Sequence, residues 1–364
     1  MEQKAKKTGR LKRSFTRFLG PERTRKLLCK SIIRGYRVPP LSLPINPGTV
    51  KSLLCIMPRT PVDTIHQIGT VLSLIALFKS AHTTLLCNSA VSSFVKNLQN
   101  VDIIEYDDED SILFSHRFRE LANEFNAQFD VCVMLEKAPD LPLLYLAGQT
   151  AAPVRAGYEI EGGYPFLNYR IKPSGNHVYA GDWNSAISTL FGTKPVRKIR
   201  WSVSKDTLEE VKTILKELSV PLTPPLIGVD LIYFVHTYGR SWSEALVKSM
   251  KASLHANLFI YSEMDPQPID VPWYHQFGWP IVSDLSVPRI AALITMTNMM
   301  ITGNTVLFAM TGLLEAPMIG LFEEKELNWN CPKMNHITGI AYHGEPDLNT
   351  IESIVKVVKT RVKA

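Results

Sequence analysis

The sequence predicts an α/β protein in two halves, each a parallel sheet with helices on both faces, and three observations predict it. Short apolar segments of strand length alternate with segments of helical spacing from about residue 50 onward. These short segments are apolar at successive positions, which marks strands buried on both faces of a parallel sheet. A stretch with four prolines, residues 193–225, interrupts the alternation in the 364-residue chain. Such a length exceeds one ordinary core and suits two domains of about 150 residues each.

The elements follow in order. Residues 53–57 form an apolar run that ends in Pro58-Arg59-Thr60-Pro61 and reads as the first strand. A helix is expected around 65–79, strands at 83–87 and 101–106, and a helix between them at 91–98. Helical spacing at 116–125 and 139–147 flanks a fourth strand at 131–135, and a further strand falls at 154–158. One helix, 207–218, lies inside the proline-bearing stretch. The second series runs through strand 226–229, helix 243–254, strand 258–261 and helix 287–295. It continues through strand 299–302, helix 306–314, strand 318–322 and an amphipathic helix at 350–362. Repeated strand–helix order builds parallel sheets through right-handed crossovers. The expected division is a basic arm (1–45), a first domain (46–200), a linker (201–225), a second domain (226–346) and a C-terminal helix (347–364).

Charge is unevenly spread. Residues 1–37 carry thirteen Lys or Arg against Glu2 and Glu22, so the arm holds +11 and the rest −5 within a net charge of +6. In the arm, Lys4, Lys6, Lys7, Arg10, Lys12, Arg13 and Arg17 interleave with Phe15 and Phe18, and Gly20-Pro21 splits it into two amphipathic stretches. Such a pattern suits an anionic membrane surface, where each cation contributes about 1 kcal/mol. Packing against the body is the alternative. Nucleic acid is the weaker partner, because aromatics are few and the body is acidic. No segment approaches the ~18–20 apolar residues of a membrane span. The arm also lacks the apolar h-region of a secretory signal, so a cytoplasmic location is expected. Five scattered cysteines without CxxC, and no clustered histidines, point to a reduced compartment, no disulfide framework and no metal.

Ligands of parallel sheets bind beyond the carboxyl ends of the strands, and two such ends carry informative residues. After the first strand, Asp63 stands near a helix start. Spacing alone favours a helix cap, and the other role open to it is a general base that takes a proton from a sugar hydroxyl. At the other end, Gly303, Asn304 and Thr305 turn a strand into a helix. Glycine admits close approach, and a helix N-terminus offers free N–H groups to phosphate. Arg240, placed by this reading in the loop after the first strand of the second half, could neutralise a diphosphate. His66 and His236 read as structural or surface histidines, lacking partners at ligand spacing.

Taken in order, several strings resemble glycosyltransferase family 9, whose best-known members are ADP-heptose:lipopolysaccharide heptosyltransferases. Residues 54–63, LCIMPRTPVD, look like the family's opening I-R-x-x-x-I-G-D; residues 129–135, FDVCVML, are similar to Y-D-x-x-I-D-L. Residues 152–158, APVRAGY, look like A-P-x-R-I-G-F; 285–294 and 301–304 resemble L-x-E-L-A-A-L-I followed by V-G-N-D-T-G; 317–322 resembles P-V-V-A-L-F. The likeness spans about residues 50–330. It implies two Rossmann-like domains facing each other across a cleft (GT-B type). It further implies an inverting, metal-independent sugar transfer from a nucleotide-sugar donor to a lipopolysaccharide-type or other glycan or glycolipid acceptor. The arm would hold the protein on the inner face of the cytoplasmic membrane. The resemblance makes Asp63 the general base, puts Arg240 in place of the donor-phosphate lysine with Trp242 on the family's tryptophan, and sets Gly303, Asn304 and Thr305 on the donor-binding segment. The chain departs from the pattern chiefly in the second half. The loop aspartate of G-N-D-T is deleted, Thr305-Val306-Leu307-Phe308-Ala309 replaces T-G-P-x-H, and Asp230-Leu231-Ile232 stands where H-P-G is expected. The alternative that these departures open is a non-catalytic, membrane-peripheral binding or assembly protein on the same fold.

Overall fold

A computed structural model describes residues 45–362 apart from 111, 114, 174–178, 197–202, 264–265 and 269. The arm residues Lys4, Lys6, Lys7, Arg10, Lys12, Arg13, Phe15, Arg17 and Phe18 lie outside the described residues. In the first half, strands β1 (Ser52–Ile56), β2 (His82–Asn88), β3 (Val101–Tyr106), β4 (Val131–Met134), β5 (Val154–Tyr158) and β6 (Tyr169–Ile171) form one sheet in the order β3-β2-β1-β4-β5-β6. In the second, β7 (Leu226–Val229), β8 (Asn257–Tyr261), β9 (Ile281–Val282), β10 (Met299–Thr302), β11 (Met318–Glu323) and β12 (Ile337–Tyr342) form a sheet in the order β12-β11-β10-β7-β8-β9. Every pairing in both is parallel. The expected two Rossmann-like domains of GT-B type are therefore present. In each, the chain winds outward from a central strand and then returns to its other side. That leaves a crevice where the order reverses, between β1 and β4 and between β7 and β10.

The continuous apolar runs explain the strands. Leu53, Leu54, Cys55 and Ile56 in β1 are all fully buried, as are Met299, Met300 and Ile301 in β10. Each large side chain so buried contributes about 1.5–3 kcal/mol, offset by the chain entropy it gives up. The helix Pro61–Leu77 starts where Thr60 Oγ1 accepts the Asp63 N–H at 3.3 Å and Pro61 supplies a preset φ at the first helical position. Both domains bury part of this architecture against each other. Helix Pro61–Leu77 packs on helix Thr305–Leu314, and the rings of Trp183 and Trp329 lie 6.4 Å apart. Helix Lys205–Glu217, inside the expected linker, packs on helix Val287–Met296, with Arg289 Nε 3.1 Å from Glu210 Oε2.

Two local expectations change. Of residues 91–98 only 91 and 92 are helical, as the end of the short helix Ser89–Ser92, and turns follow. Ser92 Oγ bonds the Ser89 carbonyl at 3.1 Å, a local side-chain bond that competes with helix continuation. Residues 231–238, expected as loop, form the helix Leu231–Tyr238 because Leu231, Ile232 and Phe234 are buried and Asp230 caps it through Tyr233 N at 3.3 Å. Arg240 consequently opens the next helix, Arg240–Ser253, rather than sitting in a loop after β7.

Candidate active site

The first domain's crevice gathers Asp63 with residues from three other segments. Asp63 stands in the first turn of helix Pro61–Leu77; the loop after β1 delivers Arg59, the loop after β4 delivers Glu136, Lys137 and Asp140, and helix Ala180–Asn184 delivers Asn184. The Asp63 carboxylate is buried, with 8 % of the residue exposed. Its Oδ1 accepts from Lys137 Nζ at 2.8 Å and from Asn184 Nδ2 at 3.0 Å, while Oδ2 accepts from Thr60 Oγ1 at 2.8 Å. Burial alone would raise the Asp63 carboxyl. The Lys137 ammonium and the Thr60 and Asn184 hydrogen bonds outweigh it and hold the group below the usual carboxylate range. Asp63 is thus ionised at neutral pH. It also occupies the first helical turn, where the macrodipole favours a negative charge.

Beside it, Arg59 donates from Nη1 to Asp140 at 2.8 Å and from Nε to the Tyr106 hydroxyl at 3.2 Å. Its backbone N–H donates to Glu136 Oε2 at 3.0 Å. The remaining nitrogen, Nη2, is buried without a protein partner. One turn beyond Asp63, burial pushes His66 down to about 4, so its ring is neutral at pH 7. It sits 3.3 Å from Asn184 Nδ2 and 3.1 Å from the Tyr179 hydroxyl. His66 therefore has structural partners. Lys137 and Asn184 were not singled out from the sequence. Charged Glu136-Lys137 directly after a buried strand was the available signal for the first; Asn184 reaches Asp63 across 121 positions and gave none.

The second domain's crevice is built differently. The Asp230 carboxyl is buried between β7 and β10, where it accepts from Thr302 Oγ1 at 2.7 Å and from Tyr233 N. Burial pushes it up to about 7, against those hydrogen bonds. Gly303 is required by packing: a Cβ there would lie 2.3 Å from Cε1 of the Tyr233 ring. Asn304 caps the helix that Thr305 begins, its Oδ1 accepting from Val306 N at 2.8 Å and Leu307 N at 3.5 Å. Its Nδ2 donates to Glu263 Oε2 at 3.0 Å. The helix N–H groups are thus occupied by the chain's own side chain. Arg240 forms an ion pair with Asp270, and its guanidinium lies 5.6 Å from the Trp273 ring centroid. Gly303–Thr305 and Arg240 consequently have separate sets of partners. Among the described residues no cluster of three or more His, Cys, Asp or Glu could hold a metal ion. No described helix is long and apolar enough to cross a membrane.

Comparison of the sequence with family models and with curated proteins gives no match. Solved structures do match in fold. The glycosyl transferase family 9 structure from Veillonella parvula DSM 2008 superposes with a TM-score of 0.69 at 13 % identity, covering 88 % of this chain and 99 % of its own. E. coli ADP-heptose lps heptosyltransferase II gives 0.65 at 13 % identity, over 86 % of this chain and 98 % of its own. E. coli heptosyltransferase WaaC with ADP gives 0.63 at 11 % identity, over 85 % and 99 %. The chain therefore has the two-domain fold of these glycosyltransferases along nearly all of their length.

Proposed function

We propose that the protein is a glycosyltransferase of the heptosyltransferase type. It moves a sugar from a nucleotide-sugar donor to a lipopolysaccharide-type or other glycan acceptor, with inversion and without a metal. The observation that carries this reading is Asp63: a buried carboxylate, ionised at neutral pH, at the crevice between β1 and β4. A carboxylate so placed can take the proton of an acceptor hydroxyl as the hydroxyl oxygen attacks the anomeric carbon of the donor. The nucleoside diphosphate leaves from the opposite face, which inverts that centre. Lys137 and Asn184 fix the carboxylate in one orientation through Oδ1, and among the described residues Oδ2 accepts from the Thr60 hydroxyl alone. On this reading Arg240 and the Gly303–Thr305 turn hold the donor once the Asn304 side chain gives up the helix N–H groups it now caps, and those groups with the basic side chain then stabilise the leaving diphosphate. The basic arm holds the protein to the anionic inner face of the cytoplasmic membrane.

Transfer from labelled ADP-, UDP- and GDP-sugars to lipopolysaccharide core oligosaccharide tests the reading. Asp63→Asn is expected to reduce transfer by a factor of about 10²–10⁴, the usual contribution of a positioned base, while the fold persists. Unchanged transfer by that variant removes Asp63 from the chemistry. A second reading, a non-catalytic binding protein on the same fold, is favoured by one observation: Asn304 and Glu263 occupy the helix start that would receive a diphosphate.

A further inference from the structure

Between the domains, beside the connection that joins them, lies a cavity of ≈ 380 Å³. It falls in the size range of small-molecule pockets. Its walls come from helix Pro61–Leu77, helix Thr305–Leu314, residues 179–185 and 195–196, and the segment 328–334. It opens between helices rather than at strand ends; neither Asp63 nor Gly303–Thr305 lines it. Two features of its wall are not explained by folding.

The first is Gly312. It lies inside the helix Thr305–Leu314, where glycine is less favourable than alanine, yet a Cβ built on it meets nothing within 4 Å. No neighbour requires its absence, and the missing side chain leaves only empty volume facing the cavity. The second is an oriented donor. Asn184 Nδ2 is the amide group turned to Asp63 and to His66 Nδ1, so the neutral His66 ring accepts there and carries its proton on Nε2. Nε2 donates to the Tyr179 oxygen at 3.1 Å, which leaves the Tyr179 hydroxyl proton to be given to another acceptor. Burial keeps that phenol protonated. Asp182, Ser185, Asn328 and Lys333 add polar groups of both donor and acceptor kind, with one positive and one negative charge.

We propose that this cavity is a second ligand site, for a neutral polyhydroxylated molecule of monosaccharide size, with Tyr179 donating to one of its oxygens and the ligand occupying the space left by Gly312. Mixed donors and acceptors without a charge excess suit hydroxyls rather than a phosphate. The site joins Asp63 through Tyr179, His66 and Asn184, so its occupancy bears on the grip that holds Asp63.

Saturation-transfer NMR on the full chain with D-mannose, D-glucose and N-acetylglucosamine tests it. Transfer to at least one sugar is expected. Gly312→Leu is expected to remove that transfer while the thermal midpoint is kept or raised. Tyr179→Phe, which adds no atoms, is expected to weaken binding about three- to tenfold, the loss of one hydrogen bond. No transfer to any of the three sugars, or transfer unaltered by Gly312→Leu, overturns the proposal. Should Gly312→Leu fail to fold, unaltered affinity in Tyr179→Phe overturns it equally.

Discussion

The grip on Asp63 gives a prediction whose size and pH dependence both follow from the geometry. Lys137→Met keeps most of the aliphatic stem and removes the ammonium that lies 2.8 Å from Asp63 Oδ1. Two unit charges at about 4 Å attract by about 4 kcal/mol at an effective dielectric of ~20. The Lys137 side chain keeps 36 % of its exposure while that of Asp63 keeps 11 %, so water screens one partner and not the other. Discounting for that screening leaves about 2 kcal/mol of lost stability at neutral pH. The sign with pH follows from Asp63. Its folded carboxyl titrates below its unfolded value, so its contribution is present above about pH 4 and is lost as pH falls through the folded value. In Lys137→Met the burial that raises the carboxyl is opposed by Thr60, Asn184 and the helix dipole. The gap between wild type and variant is therefore expected to be largest at neutral pH, to shrink as pH falls into the carboxylate range, and to close only below the folded value of wild-type Asp63. Urea denaturation across that range measures it. A gap that is independent of pH, or absent at neutral pH, refutes the account of how Asp63 is held.

Two more perturbations address the second domain. The Asp230 carboxyl is raised to about 7, so the folded state holds a proton that the unfolded chain has released, and stability falls as pH rises from about 4 to 7. That upward displacement corresponds to roughly 4 kcal/mol, and Asp230→Asn is expected to remove most of that slope in denaturation curves taken between pH 5 and 8. Gly303→Ala places a methyl 2.3 Å from the Tyr233 ring and is expected to lose about 1–3 kcal/mol by overpacking. Adding Tyr233→Leu to it is expected to recover part of that loss, read as a coupling energy in a double-mutant cycle.

Legibility in the sequence divided along a physical line. Both sheets were readable because β1, β4, β7 and β10 are buried on both faces and so are apolar apart from the terminal Ser52 and Thr302, a pattern that survives without tertiary information. Helix Leu231–Tyr238 was not readable, because its apolar residues follow a strand without a turn residue between and the cap, Asp230, doubles as a buried strand-end carboxyl. Strands β6, β9 and β12 escaped notice for the opposite reason: they are short or only partly buried edge strands without a continuous apolar run. For the candidate site, Asp63 was legible because it stands in a strand–loop–helix pattern. Its partner Asn184 was not, since no local spacing encodes a contact that the crossover after β6 creates. Gly303 shows the limit of motif reading. Sequence offered it as room for a ligand, and the structure fills that room with the Tyr233 ring.

On the proposed function the second domain receives a nucleotide-sugar while Asp63 serves the acceptor. Calorimetric titration of the purified protein with ADP, UDP and GDP, and with their sugar conjugates, tests it most directly. Saturable binding of one nucleotide is expected, weakened about tenfold or more by Arg240→Ala as a charge-assisted contact is lost. No binding of any of the three, with the protein folded, contradicts it and leaves the occupied helix start at Asn304 as evidence for a protein that has kept the fold without the transfer.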